Sequence, residues 1–225
     1  MEHIEIEAYY LPPQLRDRVK VLRPAVYQDG KIHIDLKIPL IDDTFVKMLT
    51  QQLKKNRERY LAHLPIEKVV QVLDAASRRW LDKNYPLRRL ALKTIPLTTG
   101  FSPEVVEASI NAEMESSLKE DMWRALSLEI GNPLYLDDFQ YSPQLGGYSQ
   151  AFGPELIVSI FSENIPALLS PSLHEVCLGE VGLHRKSGKR RAYICTTLFE
   201  DNRRDRPGDG SMYGCSLLAG GRGRD

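Results

Sequence analysis

A chain of 225 residues can bury one good core or two small domains. Its 30 basic and 30 acidic side chains cancel, which argues against a general electrostatic pull on nucleic acid or anionic lipid. Three cysteines with no C-x-x-C pair argue against a disulfide framework or a zinc site and fit a reducing compartment. The start, M-E-H-I-E-I-E, lacks the basic-then-apolar pattern of a signal peptide. No apolar run approaches the roughly 20 residues of a membrane helix. The expectation is a soluble cytoplasmic protein with no membrane span.

Residues 1–41 read as extended. Ile4 and Ile6 alternate with acids, and Val19-Lys20-Val21 is short and alternating. Asp29-Gly30 is a hairpin-turn dipeptide, followed at period two by Ile32, Ile34, Leu36 and Ile38. This predicts a β-arm or hairpin with one buried face.

Residues 42–131 read as a helical subdomain. Asp42 or Asp43 caps a helix to about Ala62, with Phe45, Met48/Leu49 and Leu53 inward. Pro65 starts a second, whose buried stripe is Ile66, Val69/Val70, Leu73, Ala76 and Trp80. Pro86 starts a short third through Leu87, Leu90 and Ala91, and Thr99-Gly100 is a turn. Ser102-Pro103-Glu104 starts a fourth, carrying Val106, Ile110 and Met114. The fifth carries Met122/Trp123, Leu126 and Ile130 and stops at Gly131. Trp80 and Trp123 are expected to face the core.

Residues 132–150, with Pro133, Pro143, Gly146 and Gly147, read as a linker. In 151–179 an α/β unit opens. Leu156–Phe161 is a β-branched apolar run suited to a strand buried on both faces. Ser162-Glu163-Asn164 is a polar turn. Ile165-Pro166 then starts a helical run with Leu168, Leu169 and Leu173. In parallel sheets ligands sit at such a strand-to-helix turn. Asn164 there is either a turn-stabilising residue or an amide aimed at a developing oxyanion. Glu163 reads as an exposed turn acid or a general base. Cys177 reads as a small buried hydrophobe. The five histidines show no ligand spacing, so no metal site is expected. No G-x-G-x-x-G, P-loop or G-x-S-x-G is present.

Several motifs in residues 45–179 resemble the long-chain acyl-CoA reductase (LuxC) family, a branch of the aldehyde dehydrogenase superfamily. They are L-P-I-E-K-V-V-Q-V-L-D-A-A-S-R-R-W-L-D, Y-P-L-R-R-L-A-L, T-G-F-S-P-E-V-V and A-F-G-P-E-L-I-V-S-I-F-S-E-N-I-P-A-L. The last is similar to the family's strand and A-G-N-V-P turn. The resemblance implies an α/β fold: an aldehyde-dehydrogenase-like fragment with a β-arm, a helical subdomain and the first strand–helix unit of a nucleotide-binding sheet.

It also implies a reaction. A cysteine thiolate attacks a fatty acyl-CoA or acyl-protein thioester, and the acyl-enzyme takes hydride from NADPH to release a fatty aldehyde, which feeds luciferase in luminous bacteria. Asn164 matches the oxyanion donor. Ser162, Glu163, Ile165 and Pro166 match the loop against the cofactor. Glu163 replaces a family glycine, which crowds backbone near the cofactor. None of Cys177, Cys195 or Cys215 matches the nucleophile's motif, so these residues are expected to be inactive alone. The alternative is an interaction module that holds an acyl-transfer partner or another subunit, including a second copy.

From about Glu180 the composition changes. Residues 180–225 hold ten of the basic side chains, eight of them Arg, and eight of the 15 glycines. An RNA-binding arginine/glycine segment is the weaker reading, since acids are mixed in and aromatics are few. The expectation is no nucleic acid and an aberrant, disordered tail. A shifted reading frame accounts for it. Read from the second base of each codon, the segment from Phe199 can encode L-K-T-I-A-E-I-D-P-E-M-A-A-C-M-A-V-A-Y-W-P-G-G-E. That has an amphipathic period and resembles the family at this distance from its A-G-N-V-P turn. Only the cysteine read across Met212-Tyr213 is forced. Restoring one frame near codons 174–180 is then expected to give a full-length enzyme.

Overall fold

The computed structural model describes residues 1–7, 9–21, 25–153, 155–156 and the pair 217–218. The β-arm comes first. Strands β1 (Glu2–Glu7) and β2 (Tyr9–Tyr10) precede a 3-10 turn over Pro13–Arg18, followed by β3 (Lys20–Val21), β4 (Ala25–Gln28), β5 (Ile32–Lys37) and β6 (Pro39–Leu40). Gly30 sits at φ 87° between β4 and β5, a conformation that glycine adopts without Cβ strain. The Asp29 carboxylate accepts from the Lys31 and Ile32 amides and closes the turn.

The hairpin expected at Asp29-Gly30 is therefore present, but it is not the whole arm. β1 adds to β5 in parallel, giving the order β1-β5-β4. Ile34 and Leu36 face inward, 0% and 1% exposed, and Ile6, Tyr27 and Ile38 pack on Leu36. The 3-10 turn places Leu15 beside Leu11, Phe45 and Leu49, so the arm shares a core with the first helix.

Among the described residues five α-helices follow: α1 (Asp43–Tyr60), α2 (Ile66–Leu81), α3 (Pro86–Thr99), α4 (Pro103–Glu115) and α5 (Lys119–Ile130). Asp42 caps α1 by accepting from the Phe45 amide at 2.7 Å. Ser102 caps α4 by accepting from Val105 at 3.3 Å, and Gly100 ends α3 at φ 80°. The expected stripe of α4, Val106, Ile110 and Met114, is buried throughout.

Two expectations shift. On α2, Ser77 is buried where Ala76 was expected, and Ala76 is half-buried. Helix α3 runs on to Thr99 through Pro96. Pro96 lies past the first turn, where it has no N–H for the carbonyl four residues back and its ring crowds that carbonyl; one turn later Gly100 closes the helix. Trp80 is buried and stacks edge-on to Tyr85 with centroids 5.7 Å apart, whereas Trp123 is half-buried on the edge of the α2–α5 core. That core is Ile66, Val69, Val70, Leu73, Met122 and Leu126. Each such side chain contributes about 1.5–3 kcal/mol when fully buried.

Residues 132–150, expected as a linker, hold a 3-10 turn at Pro133–Leu136 and an antiparallel hairpin of β7 (Gln140–Ser142) and β8 (Gly147–Ser149). Gly146, at φ 63°, supplies the turn. A two-residue antiparallel pairing, β9 (Leu217–Leu218) with β2, is the described part of the tail. The described residues form a mixed α/β fragment of helices and small sheets.

Candidate functional site

The helices owe their relative positions to polar contacts that reach across the sequence. Helices α2 and α5 begin at Pro65 and Leu118, neither of which has a side chain able to cap. Both orphan N-termini are served from a distance. Asp137 Oδ1, just past the 3-10 turn, accepts from the Ile66 amide at 2.7 Å. Asp74 Oδ1, inside α2, accepts from the Lys119 amide at 2.9 Å. Its Oδ2 accepts from Arg78 Nε at 2.8 Å. Burial works to raise the Asp74 carboxyl, but Arg78 and the Lys119 amide outweigh it and hold the group below its usual range. A carboxylate at a helix N-terminus satisfies an orphan N–H and complements the helix dipole.

Arg88 is the second tie. It sits one turn into α3 with its side chain 0% exposed. Nη1 donates to the Trp80 carbonyl at 2.8 Å, and Nη2 donates to Asn111 Oδ1 at 2.7 Å and Glu107 Oε1 at 3.1 Å. One guanidinium thus joins the end of α2, the start of α3 and the middle of α4. Arg88 Nε, Trp80 Nε1 and Glu113 Oε1 are buried without a hydrogen-bond partner among the described residues. Burial pushes the Glu113 carboxyl up to about 7.

This scaffold leads into the expected catalytic loop. Ala151 N donates to the Tyr135 carbonyl at 2.8 Å. Arg57 Nη2 donates to the Gly153 carbonyl at 3.4 Å, and Lys54 pairs with Glu155. Helix α1 and the 3-10 turn therefore fix the chain immediately before Leu156, where the strand is expected to start. Asn164, Ser162, Glu163, Ile165, Pro166 and all three cysteines lie outside the described residues, as do the expected strand and helix of 157–179.

The structure brings together one group that spacing along the chain conceals. His3 Nε2 lies 2.6 Å from Asp35 Oδ2, and His33 Nε2 lies 3.0 Å from Asp35 Oδ1. His3 and His33 are register partners across β1 and β5. Thirty residues separate them in sequence, so only the parallel pairing could reveal the cluster. The His3 imidazole, with His33, holds the Asp35 carboxyl below its usual range. His63, by contrast, is an exposed residue beside Glu58 at the end of α1.

An apolar face is also exposed on the hairpin. Leu145, Tyr148 and Phe152 are 75%, 74% and 77% exposed, and Phe139 and Tyr141 join them. Among the described residues no helix is long and apolar enough to cross a membrane.

Comparison with known proteins fits this layout. The acyl-CoA reductase (LuxC) family matches residues 61–194, more than half of the 225 residues. The chain belongs to the acyl-CoA reductase (LuxC) family. It is also similar to a long-chain acyl-protein thioester reductase of Photobacterium phosphoreum, at 24% identity over 132 residues, 58% of this chain. The match spans 25% of that relative's length. The family match takes in α2 to α5, the hairpin and the segment of Asn164, and it begins after the β-arm and α1.

Proposed function

We propose that this chain carries the N-terminal scaffold and the oxyanion loop of an NADPH-dependent reductase that converts long-chain fatty acyl thioesters to fatty aldehydes. The family match through residue 194 carries this reading. The similar Photobacterium phosphoreum protein is named for acyl-protein thioesters, which makes an acyl-protein donor as reasonable as acyl-CoA. In the proposed reaction a cysteine thiolate adds to the thioester carbonyl, and the thiol leaves from the tetrahedral intermediate. The Asn164 amide donates to the oxyanion, a task for which a preorganised donor is effective. NADPH, when bound, supplies hydride to the acyl-enzyme. The loop Ser162-Glu163 and Ile165-Pro166 would border it.

No cysteine of these 225 residues occupies the nucleophile's motif, so this chain is proposed not to turn over. The shifted frame is proposed as the origin of the Arg/Gly-rich end. The change of frame is proposed from about residue 180, whereas the family match in the given frame runs on to residue 194, so residues 180–194 count against a break that early. The test is purified chain with a long-chain acyl-CoA and NADPH, scored by aldehyde trapping. Aldehyde at a rate that thiol alkylation abolishes would refute the inactivity and point to one of Cys177, Cys195 or Cys215.

A second reading rests on the hairpin. Tyr141 and Tyr148 on the two-stranded sheet, with Phe139, Leu145 and Phe152 beside it and in its turn, are exposed, and among the described residues the sheet's edges are unpaired; this favours contact with another polypeptide. Under this reading the chain contributes a subunit or acyl-transfer contact rather than catalysis. Replacing Tyr148 and Phe152 with Ser would then lower the assembled mass in sedimentation without changing helix content.

A further inference from the structure

We propose that His3, His33 and Asp35 form a binding site for a single divalent transition metal of the zinc class, which braces strand β1 against β5. The three side chains offer two imidazole nitrogens and one carboxylate oxygen whose ligand atoms all lie within 4.8 Å of one another. A nitrogen-rich, oxygen-completed donor set suits zinc and its neighbours rather than magnesium or calcium, which take oxygen shells. Zinc bonds of about 2.0–2.1 Å place tetrahedral donors roughly 3.3 Å apart. The present separations, 2.6 and 3.0 Å, need only side-chain rotations to open.

Backbone register makes the site rigid. His3 lies directly beside His33, and Asp35 follows two residues on, so it shares the face of His33. The alternate residues Ile34 and Leu36 are buried on the other face. The cluster's own face is therefore fixed by the core beneath it.

Charge favours a cation there. On the same face Glu5 is paired with Lys37. Among the described residues no lysine or arginine pairs with Asp35; its partners are the two histidines. Without metal, a ring proton on each Nε2 can satisfy the carboxylate. With metal, each Nε2 must present its lone pair, so that proton moves to Nδ1 or leaves. Side-chain exposures of 58% for His3 and 23–24% for His33 and Asp35 leave room for an ion to enter with water in the fourth position.

The test is calorimetric titration of the full chain with zinc chloride alone, after iodoacetamide has blocked the three cysteines. The expected result is one ion per chain. His3→Gln and His33→Gln should each weaken binding by at least about tenfold, and His63→Gln should leave it unchanged. His3→Gln is the safer variant for folding, because its side chain is the most exposed of the three. Hydrogen exchange supplies a second readout: zinc should slow exchange of the Ile4 and Ile6 amides in the wild type and not in His3→Gln. No saturable zinc binding by the alkylated chain would overturn the proposal. So would binding that survives both histidine variants, which would place the ion elsewhere.

Discussion

Arg88 Nη2 reaches Asn111 Oδ1 at 2.7 Å across the α3–α4 interface, from a side chain with no solvent exposure. Its charge is balanced by Glu107, itself 42% exposed. Removing Arg88 leaves an empty slot and takes the donor from the Trp80 carbonyl and Asn111 Oδ1, while Glu107 can turn to solvent. Arg88→Ala is expected to destabilise the fold by about 2–3 kcal/mol. Arg88→Met, which keeps the volume and removes the charge, should cost clearly less. Urea unfolding followed by circular dichroism measures both. Equal losses for the two variants would show that the lost hydrogen bonds and charge pairing, not volume, dominate at this position.

The remote caps make a second prediction. Asp74→Ala and Asp137→Ala each remove the side chain that accepts from the first amide of a helix, and each should cost about 1 kcal/mol. The Asp74 change should cost more, because Arg78 also loses its partner. The pH dependence of the Asp74 contribution follows from its lowered carboxyl. It is present above the unfolded-state value and lost as pH falls through the folded one. Asp74→Asn should therefore flatten the acid limb of the stability curve. An unchanged acid limb would count against Asp74 as the capping group.

Glu113 behaves in the opposite sense. Its carboxyl is raised from 4.5 to about 7, so the folded state keeps a proton that the unfolded chain releases. Its effect is to let stability fall as pH rises from about 4.5 to 7. Glu113→Gln should remove that slope and stabilise the protein at pH 8 by on the order of 1 kcal/mol, since solvent screens a half-buried group. At pH 4 the variant and wild type should match. A variant less stable than wild type at pH 8 would mean that the ionised carboxylate has a favourable role.

Much of this architecture was legible in the sequence where the determinant is local. Asp42, Pro65 and Ser102 mark the starts of α1, α2 and α4, Gly131 the stop of α5, and the 3.6-residue stripes most of their inward faces, because each is written within a few residues. The Asp29-Gly30 turn was legible for the same reason. What escaped depends on partners far along the chain. The parallel β1–β5 pairing needs residues 30 apart, and with it the His3–His33–Asp35 cluster. The Asp74 and Asp137 caps serve amides 45 and 71 residues away. Arg88 looks like an ordinary helix-surface cation in Y-P-L-R-R-L-A-L; only the convergence of the Trp80 carbonyl, Glu107 and Asn111 explains its burial. The hairpin of residues 140–149 escaped because Pro143, Gly146 and Gly147 read equally well as linker residues. Asn164 was singled out by position and motif, and its role rests on the family.

The reading-frame proposal makes a prediction at the level of DNA. Bases downstream of codon 199, read one frame over, should continue open and encode a cysteine in the family's nucleophile motif. Stop codons within a few tens of bases in that frame would require another origin for the Arg/Gly-rich end.

The most direct test of the central claim is acyl transfer and reduction by the purified 225-residue chain. Radiolabelled long-chain acyl-CoA and NADPH are added, and both hydroxylamine-labile protein label and trapped aldehyde are counted. The proposed function predicts neither, because Asn164 matches the family's oxyanion donor while none of Cys177, Cys195 and Cys215 matches its nucleophile motif. Aldehyde released in step with NADPH oxidation, or a stoichiometric thioester on one of the three cysteines, would contradict it.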